Sequence, residues 1–162
     1  MEKIASFTVD HLRLLPGLYV SRRDQVGSEV VTTFDLRITR PNHEPVMDIP
    51  AVHCIEHMGA TFLRNDPEWK DRTVYFGPMG CRTGFYVIFA GNYEPEDIRD
   101  VVTRMCDWIV AYEGEVPGAS PKDCGNYHDI DLPMAKYYIR KYQQEVLADF
   151  SKDRTNYPEA PV

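Results

Sequence analysis

The stretch HCIEH, His53 to His57, sets two histidines four residues apart with a glutamate between them. On a helix, residues at i and i+4 lie one above the other, so both imidazoles can aim at one point, as a first-row metal requires. Glu56, three residues after His53, falls near the same face and can reach a metal-bound group without being a ligand itself. The order H-x-x-E-H is that of the inverted zinc peptidases, which makes a metallopeptidase the first reading of the spacing. Two histidines on a helix can equally be exposed, or hydrogen-bonded with no ion between them.

A metal needs a third ligand. Inverted zinc peptidases usually take a distant glutamate, and Glu94, Glu96 and Asp97 all follow His57. The better candidate is Cys124 in KDCGNY: a thiolate in a Gly-flanked loop is a good soft ligand, and a His₂Cys set leaves one position open for water or substrate. Cys106 lies within a helix beside its buried stripe, and Cys54 points away from the histidine pair; both read as small core hydrophobes. Cys81 sits in GPMGCRTGF, whose glycines serve a turn and also let a ligand approach the backbone closely. Arg82 beside it can favour the thiolate and make Cys81 a proton carrier. The alternative is a buried thiol in an ordinary turn.

The elements that must position these groups follow from periodicity. EVVTTFDLRIT (29–39) alternates as a strand, with Val31, Thr33, Asp35 and Arg37 on one face and Phe34, Leu36 and Ile38 on the other. PAVHCIEHMGATFLRN (50–65) reads as a helix with Pro50 in its first turn, its Ile55, Gly59 and Phe62 on one face and His53, His57 and Ala60 on another. TVYFGPMGCRTGFYVIFAG reads as strand, turn and strand, with Gly77, Pro78, Gly80 and Cys81 in the turn. EPEDIRDVVTRMCDWIVAYEG is an amphipathic helix with Ile98, Val102, Met105, Ile109 and Tyr112 inward, opened by acidic residues and stopped by Gly114. A loop rich in Pro and Gly carries Cys124, and a last helix runs from about Asp131 to Asp149 with Ala135, Tyr138, Ile139, Tyr142 and Val146 inward. The expected fold is α+β, an antiparallel sheet with helices packed on one face.

The chain has 162 residues, which fits one compact domain spanning 1–162. A net charge of −7 argues against a nucleic-acid partner, which calls for a basic patch. No apolar run is long enough to cross a membrane and the N-terminus lacks a signal-peptide pattern. Four cysteines without tight pairing read as thiols in a reducing, cytoplasmic setting.

ASFTVDH, FDLR followed by PN, HCIEHMGATFLRN, GPMGCRTGFY and CGNY occur in the order and at the separations of S-ribosylhomocysteine lyases, the LuxS family. The chain resembles that family from about Ser6 to the last helix. The resemblance implies a LuxS-like metalloenzyme fold and the cleavage of S-ribosylhomocysteine to homocysteine and 4,5-dihydroxy-2,3-pentanedione, the precursor of autoinducer-2. It implies one Fe²⁺ or Zn²⁺ per subunit on His53, His57 and Cys124, with Glu56 as general base and Cys81 as second acid/base. Ser6, His11 and Arg37 match substrate-contacting positions, and a homodimer with active sites at its interface is implied as well. Family members often read DISPMGC where this chain reads YFGPMGC, so Tyr75 replaces an aspartate that contacts the sugar in the family. That departure is the one feature favouring a non-catalytic module that binds metal or ligand.

Overall fold

Phe34 and Leu36 alternate with Thr33, Asp35 and Arg37 along β2 (Glu29–Arg37), so one strand serves two environments at once. In the computed structural model, which describes residues 1–158, β2 pairs with β1 (Gly17–Val26) through the two-residue turn Gly27-Ser28. Gly27 takes φ +62°, a conformation that suits such a turn and that glycine reaches without steric cost. Ser21 is left out of the register between Val20 and Arg22, a bulge that turns this part of β1.

Two further strands, β3 (Thr73–Pro78) and β4 (Gly84–Ala90), complete an antiparallel sheet in the order β1-β2-β4-β3. Gly77 and Pro78 belong to β3 rather than to the turn expected for them, which is confined to residues 79–83. Three helices follow the expected pattern: α1 (Ile49–Asn65), α2 (Pro95–Ala111) and α3 (Leu132–Tyr142). Pro50 sits in the first turn of α1, and α2 opens on a reciprocal capping box between Glu94 and Asp97. The α2 helix ends before Tyr112, which caps it and still packs, half-buried, against the core. The last helix is α-helical only to Tyr142 and continues as a π turn over Gln143–Leu147, which still carries Val146 into the core.

Phe34, Leu36, Phe85, Val87 and Phe89 from the sheet meet Ile55 and Met58 of α1, Ile98, Val102 and Met105 of α2 and Ile139 of α3 in one apolar core. Burying a side chain of this size contributes about 1.5–3 kcal/mol, so the sheet–helix layer is the main source of stability. At Gly59, α1 packs directly on the sheet: a Cβ there would overlap the ring of Phe76, which stacks on Phe85 with centroids 5.4 Å apart. The helices thus cover one face of the sheet. Asp35, Arg37 and Tyr86 belong to the other.

Candidate functional site

His53 and His57 stand one turn apart on α1, their rings edge-to-face with centroids 4.7 Å apart. His53 Nδ1 lies 2.8 Å from the carbonyl of Asp129, and His57 Nδ1 lies 2.9 Å from that of Pro117. A carbonyl only accepts, so each Nδ1–H donates and each Nε2 is left with a bare lone pair. Those two Nε2 atoms face one another at 3.0 Å with no donor between them. Cys124 Sγ lies 3.4 Å from His53 Nε2, and the three ligand atoms all fall within 4.8 Å of one another. Two imidazole nitrogens bound to one tetrahedral ion sit roughly 3.3–3.4 Å apart, so the donor set fits a single divalent cation closely. No carboxylate joins the group among the described residues, which removes the acidic third ligand that a peptidase of this motif takes.

The connection from α2 to α3 is folded to hold these rings. Gly118 has φ +75°, and a Cβ there would press on His57 Nδ1 at 3.1 Å, so the turn that presents the Pro117 carbonyl calls for glycine. Further on, Cys124 N–H donates to Ser120 O and Asp131 N–H to Pro50 O, the latter tying the loop to the first turn of α1. Asp131 then caps α3 by accepting from Met134 N–H at 3.0 Å. Glu56 projects from the same helix as the histidines and is half-buried. Among the described residues its carboxylate makes no hydrogen bond or ion pair, so it is available as a proton acceptor.

On the helix-free side of the sheet, a cavity of about 440 Å³ brings together Ser6, His11, Arg37 and Cys81. Cys81 Sγ lies 3.2 Å from Thr83 Oγ1 and 3.9 Å from Arg37 Nη1, and Arg37 Nη1 donates to Thr83 Oγ1 at 2.7 Å. The cation beside Cys81 is therefore Arg37. Arg82, the neighbour expected in that role, has φ +60° and donates from Nη1 to Met47 O instead. Arg37 is 3% exposed. Its other face is held by Asp35, with Nη2 to Oδ2 at 2.6 Å and Nε to Oδ1 at 3.1 Å. Burial works to lower the Arg37 pKa, and the Asp35 charge outweighs it, so the guanidinium stays protonated. His11 Nδ1–H donates to Val9 O at 2.9 Å, which orders the N-terminal segment and leaves Nε2 as an acceptor. Tyr75 lies with Ser6 and Tyr86 in a smaller neighbouring cavity of about 240 Å³. Its hydroxyl covers Gly77, where a Cβ would overlap it.

The residues singled out by sequence thus fall into two groups. His53, His57 and Cys124 form a triangle, with Glu56 on the same helix. Ser6, His11, Arg37 and Cys81 line one cavity whose walls include none of the first group. Cys54 and Cys106 are fully buried in the core, as expected, and burial pushes the Cys54 thiol up to about 12 and Cys106 up as well. Sequence reasoning missed Thr83, which lies two residues after Cys81, and the pairing of Asp35 with Arg37. It had no signal at all for the carbonyls of Pro117 and Asp129.

A family model described as S-Ribosylhomocysteinase (LuxS) matches residues 4–153. The S-ribosylhomocysteine lyase of Clostridium acetobutylicum is 58% identical over 98% of this chain and 100% of its own length. Those of Finegoldia magna and Porphyromonas gingivalis are 57% and 53% identical with the same coverage.

Proposed function

The chain belongs to the S-ribosylhomocysteinase (LuxS) family, and on that premise we propose that it is a carbon–sulfur lyase splitting S-ribosylhomocysteine into homocysteine and 4,5-dihydroxy-2,3-pentanedione. The thioether at C5 of the ribose is not activated by the aldehyde at C1. The carbonyl must migrate to C2 and then to C3 through enediolates, which makes the C4 proton acidic. Loss of that proton and cleavage of the C5–S bond then form the C4–C5 double bond and release homocysteine as a thiolate; the resulting enol gains a proton at C5 and loses its hydroxyl proton to give the dione.

His53, His57 and Cys124 would hold one Fe²⁺ or Zn²⁺ per chain, which would supply positive charge to the site. The protein's own groups move the protons. Cys81, held between Thr83 and Arg37 at the cavity wall, takes a proton from one ribose carbon and returns it to the next. Glu56 carries protons between the sugar oxygens and takes the C4 proton in the elimination. Such groups typically contribute about 10²–10⁴-fold each. Ser6 and His11 offer a hydroxyl and an imidazole to the sugar. Asp35 occupies the bidentate face of Arg37, so Arg37 serves Cys81 rather than the amino-acid carboxylate of the substrate.

The same division supports a homodimer with active sites at its interface. The Cys81 cavity opens on the helix-free face of the sheet, whereas the histidines come from a helix packed on the opposite face. The reaction needs both sets, and a second copy bringing its triangle to the first copy's cavity supplies them. The four cysteines, all free thiols, suit a reducing compartment, and we assign the enzyme to the cytoplasm. No helix among the described residues is long and apolar enough to cross a membrane.

The observation that carries this reading is the convergence of two proton-less Nε2 atoms and one sulfur in a member of this family. It is tested by adding S-ribosylhomocysteine to the metal-replete protein and following free thiol with a thiol reagent. Stoichiometric thiol release is expected. Its absence from a metal-replete dimer contradicts the assignment and favours a module that binds the thioether without turning it over.

A further inference from the structure

Tyr157 lies beyond the residues matched by the family model, which end at 153, yet its side chain lines the cavity that holds Cys81, Arg37 and His11. Its hydroxyl donates to Asp35 Oδ2 at 2.8 Å. Its ring stacks on Tyr19 with centroids 4.8 Å apart and planes 19° from parallel. The segment that delivers it is tied down at the 3₁₀ turn Lys152–Arg154. Arg154 Nη1 donates to Pro16 O at 2.8 Å, and the Tyr19 hydroxyl reaches Asp153 O at 3.2 Å. The placement of Tyr157 is therefore built from several contacts with the start of β1.

The hydroxyl completes a chain of contacts. Asp35 is fully buried, and a buried carboxylate is costly unless its oxygens are filled. Arg37 Nε fills Oδ1, and Arg37 Nη2 shares Oδ2 with the Tyr157 hydroxyl. Arg37 engages both oxygens by itself, so the Tyr157 hydroxyl is the contact that anchors the pair from outside, and the guanidinium so held presents Nη1 to Thr83 Oγ1 and Cys81 Sγ. Removing the hydroxyl frees Oδ2 on one side and lets the Asp35–Arg37 pair rotate, drawing Nη1 away from the sulfur.

We propose that Tyr157 is a positioning residue of the lyase: by pinning Asp35 it holds Arg37 against Cys81, so that the C-terminal segment sets the reactivity of the cavity thiol. This rests on the cavity being the reaction site proposed above. The groups facing Cys81 across the cavity are Arg37 from β2, Tyr86 from β4, His11 from the N-terminal segment and Tyr157 itself. Only Arg37 carries a fixed positive charge, and Tyr157 is linked to it through Asp35.

The test compares metal-replete wild type with Tyr157→Phe, which keeps the ring and loses the hydroxyl, and with Tyr157→Ala, which loses both. Two readouts are taken. The first is the pH dependence of Cys81 alkylation by iodoacetamide, mapped by peptide mass so that other thiols do not count; it needs no turnover. In Tyr157→Phe the half-reactive pH is expected to move upward. The second is thiol release from S-ribosylhomocysteine, where kcat is expected to fall about five- to tenfold with KM within about twofold, a fraction of the whole acid/base effect. An alkylation profile in Tyr157→Phe identical to wild type overturns the proposal. So does a defect confined to Tyr157→Ala, which assigns the ring a packing role only. If wild type releases no thiol, the lyase reading fails, while the alkylation profile still decides the role of Tyr157.

Discussion

The Nε2 atoms of His53 and His57 lie 3.0 Å apart, and neither has a proton to offer the other. Each ring's N–H is already committed to a carbonyl of the connection between α2 and α3. Hydrogen bonds from the far side of a metal-binding imidazole fix its tautomer and raise its basicity. The loop that brings Cys124 to the site therefore also prepares the two histidines.

Removal of the metal lowers stability, because an ion that binds only the folded chain stabilises it by mass action. At a free concentration one hundred times Kd this amounts to about 2.7 kcal/mol, or roughly 5–10 °C in Tm for a chain of this size. A chelator is expected to lower the melting temperature of wild type by that order and to leave Cys124→Ala unchanged. Equal shifts in both proteins would show that the sulfur holds no metal.

Cys81→Ala is expected to retain one metal per chain and to lose about 10²–10⁴-fold in thiol release, the usual contribution of a group that moves a proton at carbon. Metal analysis and turnover are measured on the same preparation. Substantial activity in this variant would remove Cys81 from the mechanism.

Thiol accessibility separates the four cysteines. Cys54 and Cys106 are buried and their thiols are pushed up by that burial, Cys54 to about 12, so neither reacts in the native protein at neutral pH. Cys81 is exposed. Titration with a chromogenic disulfide is expected to give one fast thiol in the metal-loaded protein, a second after chelation, and all four in denaturant.

Asp66 predicts a pH dependence of stability. It is 4% exposed. Burial alone would raise its pKa, but the hydrogen bond from Arg104 and those from the Trp69 and Glu68 N–H groups outweigh it and hold the carboxyl below its usual value. A depressed acid stabilises the fold fully above its unfolded pKa of about 4, and this is lost as pH falls through the lower folded value. Asp66→Asn is expected to cost about 1–3 kcal/mol at pH 7, with the gap to wild type closing below about pH 4. A gap that is constant from pH 7 to pH 3 would contradict the charge-based account.

The helix carrying the histidines was legible because apolar periodicity, Pro50 and the four-residue spacing all agree. The paired strands around GPMGC were legible from their β-branched and aromatic runs. Asp35 was visible only as a member of a strand face. That its carboxylate grips Arg37 depends on burial that no local pattern reveals. Arg82 follows Cys81 in the chain, and a left-handed turn points it elsewhere. The carbonyls that fix the histidine tautomers come from residues whose side chains are irrelevant to the task, which is why spacing had nothing to say about them. Tyr157 sits in a polar tail with no periodicity, and its role comes from where the chain end returns to β1.

The central claim is that two imidazoles from one helical turn and the Cys124 sulfur hold a single cation. X-ray absorption at the metal edge of anaerobically purified protein tests it most directly. The account predicts one sulfur scatterer at about 2.3 Å and two imidazole nitrogens at about 2.0–2.1 Å, with the sulfur shell lost in Cys124→Ser. A first shell without sulfur, or one that Cys124→Ser leaves intact, would contradict it.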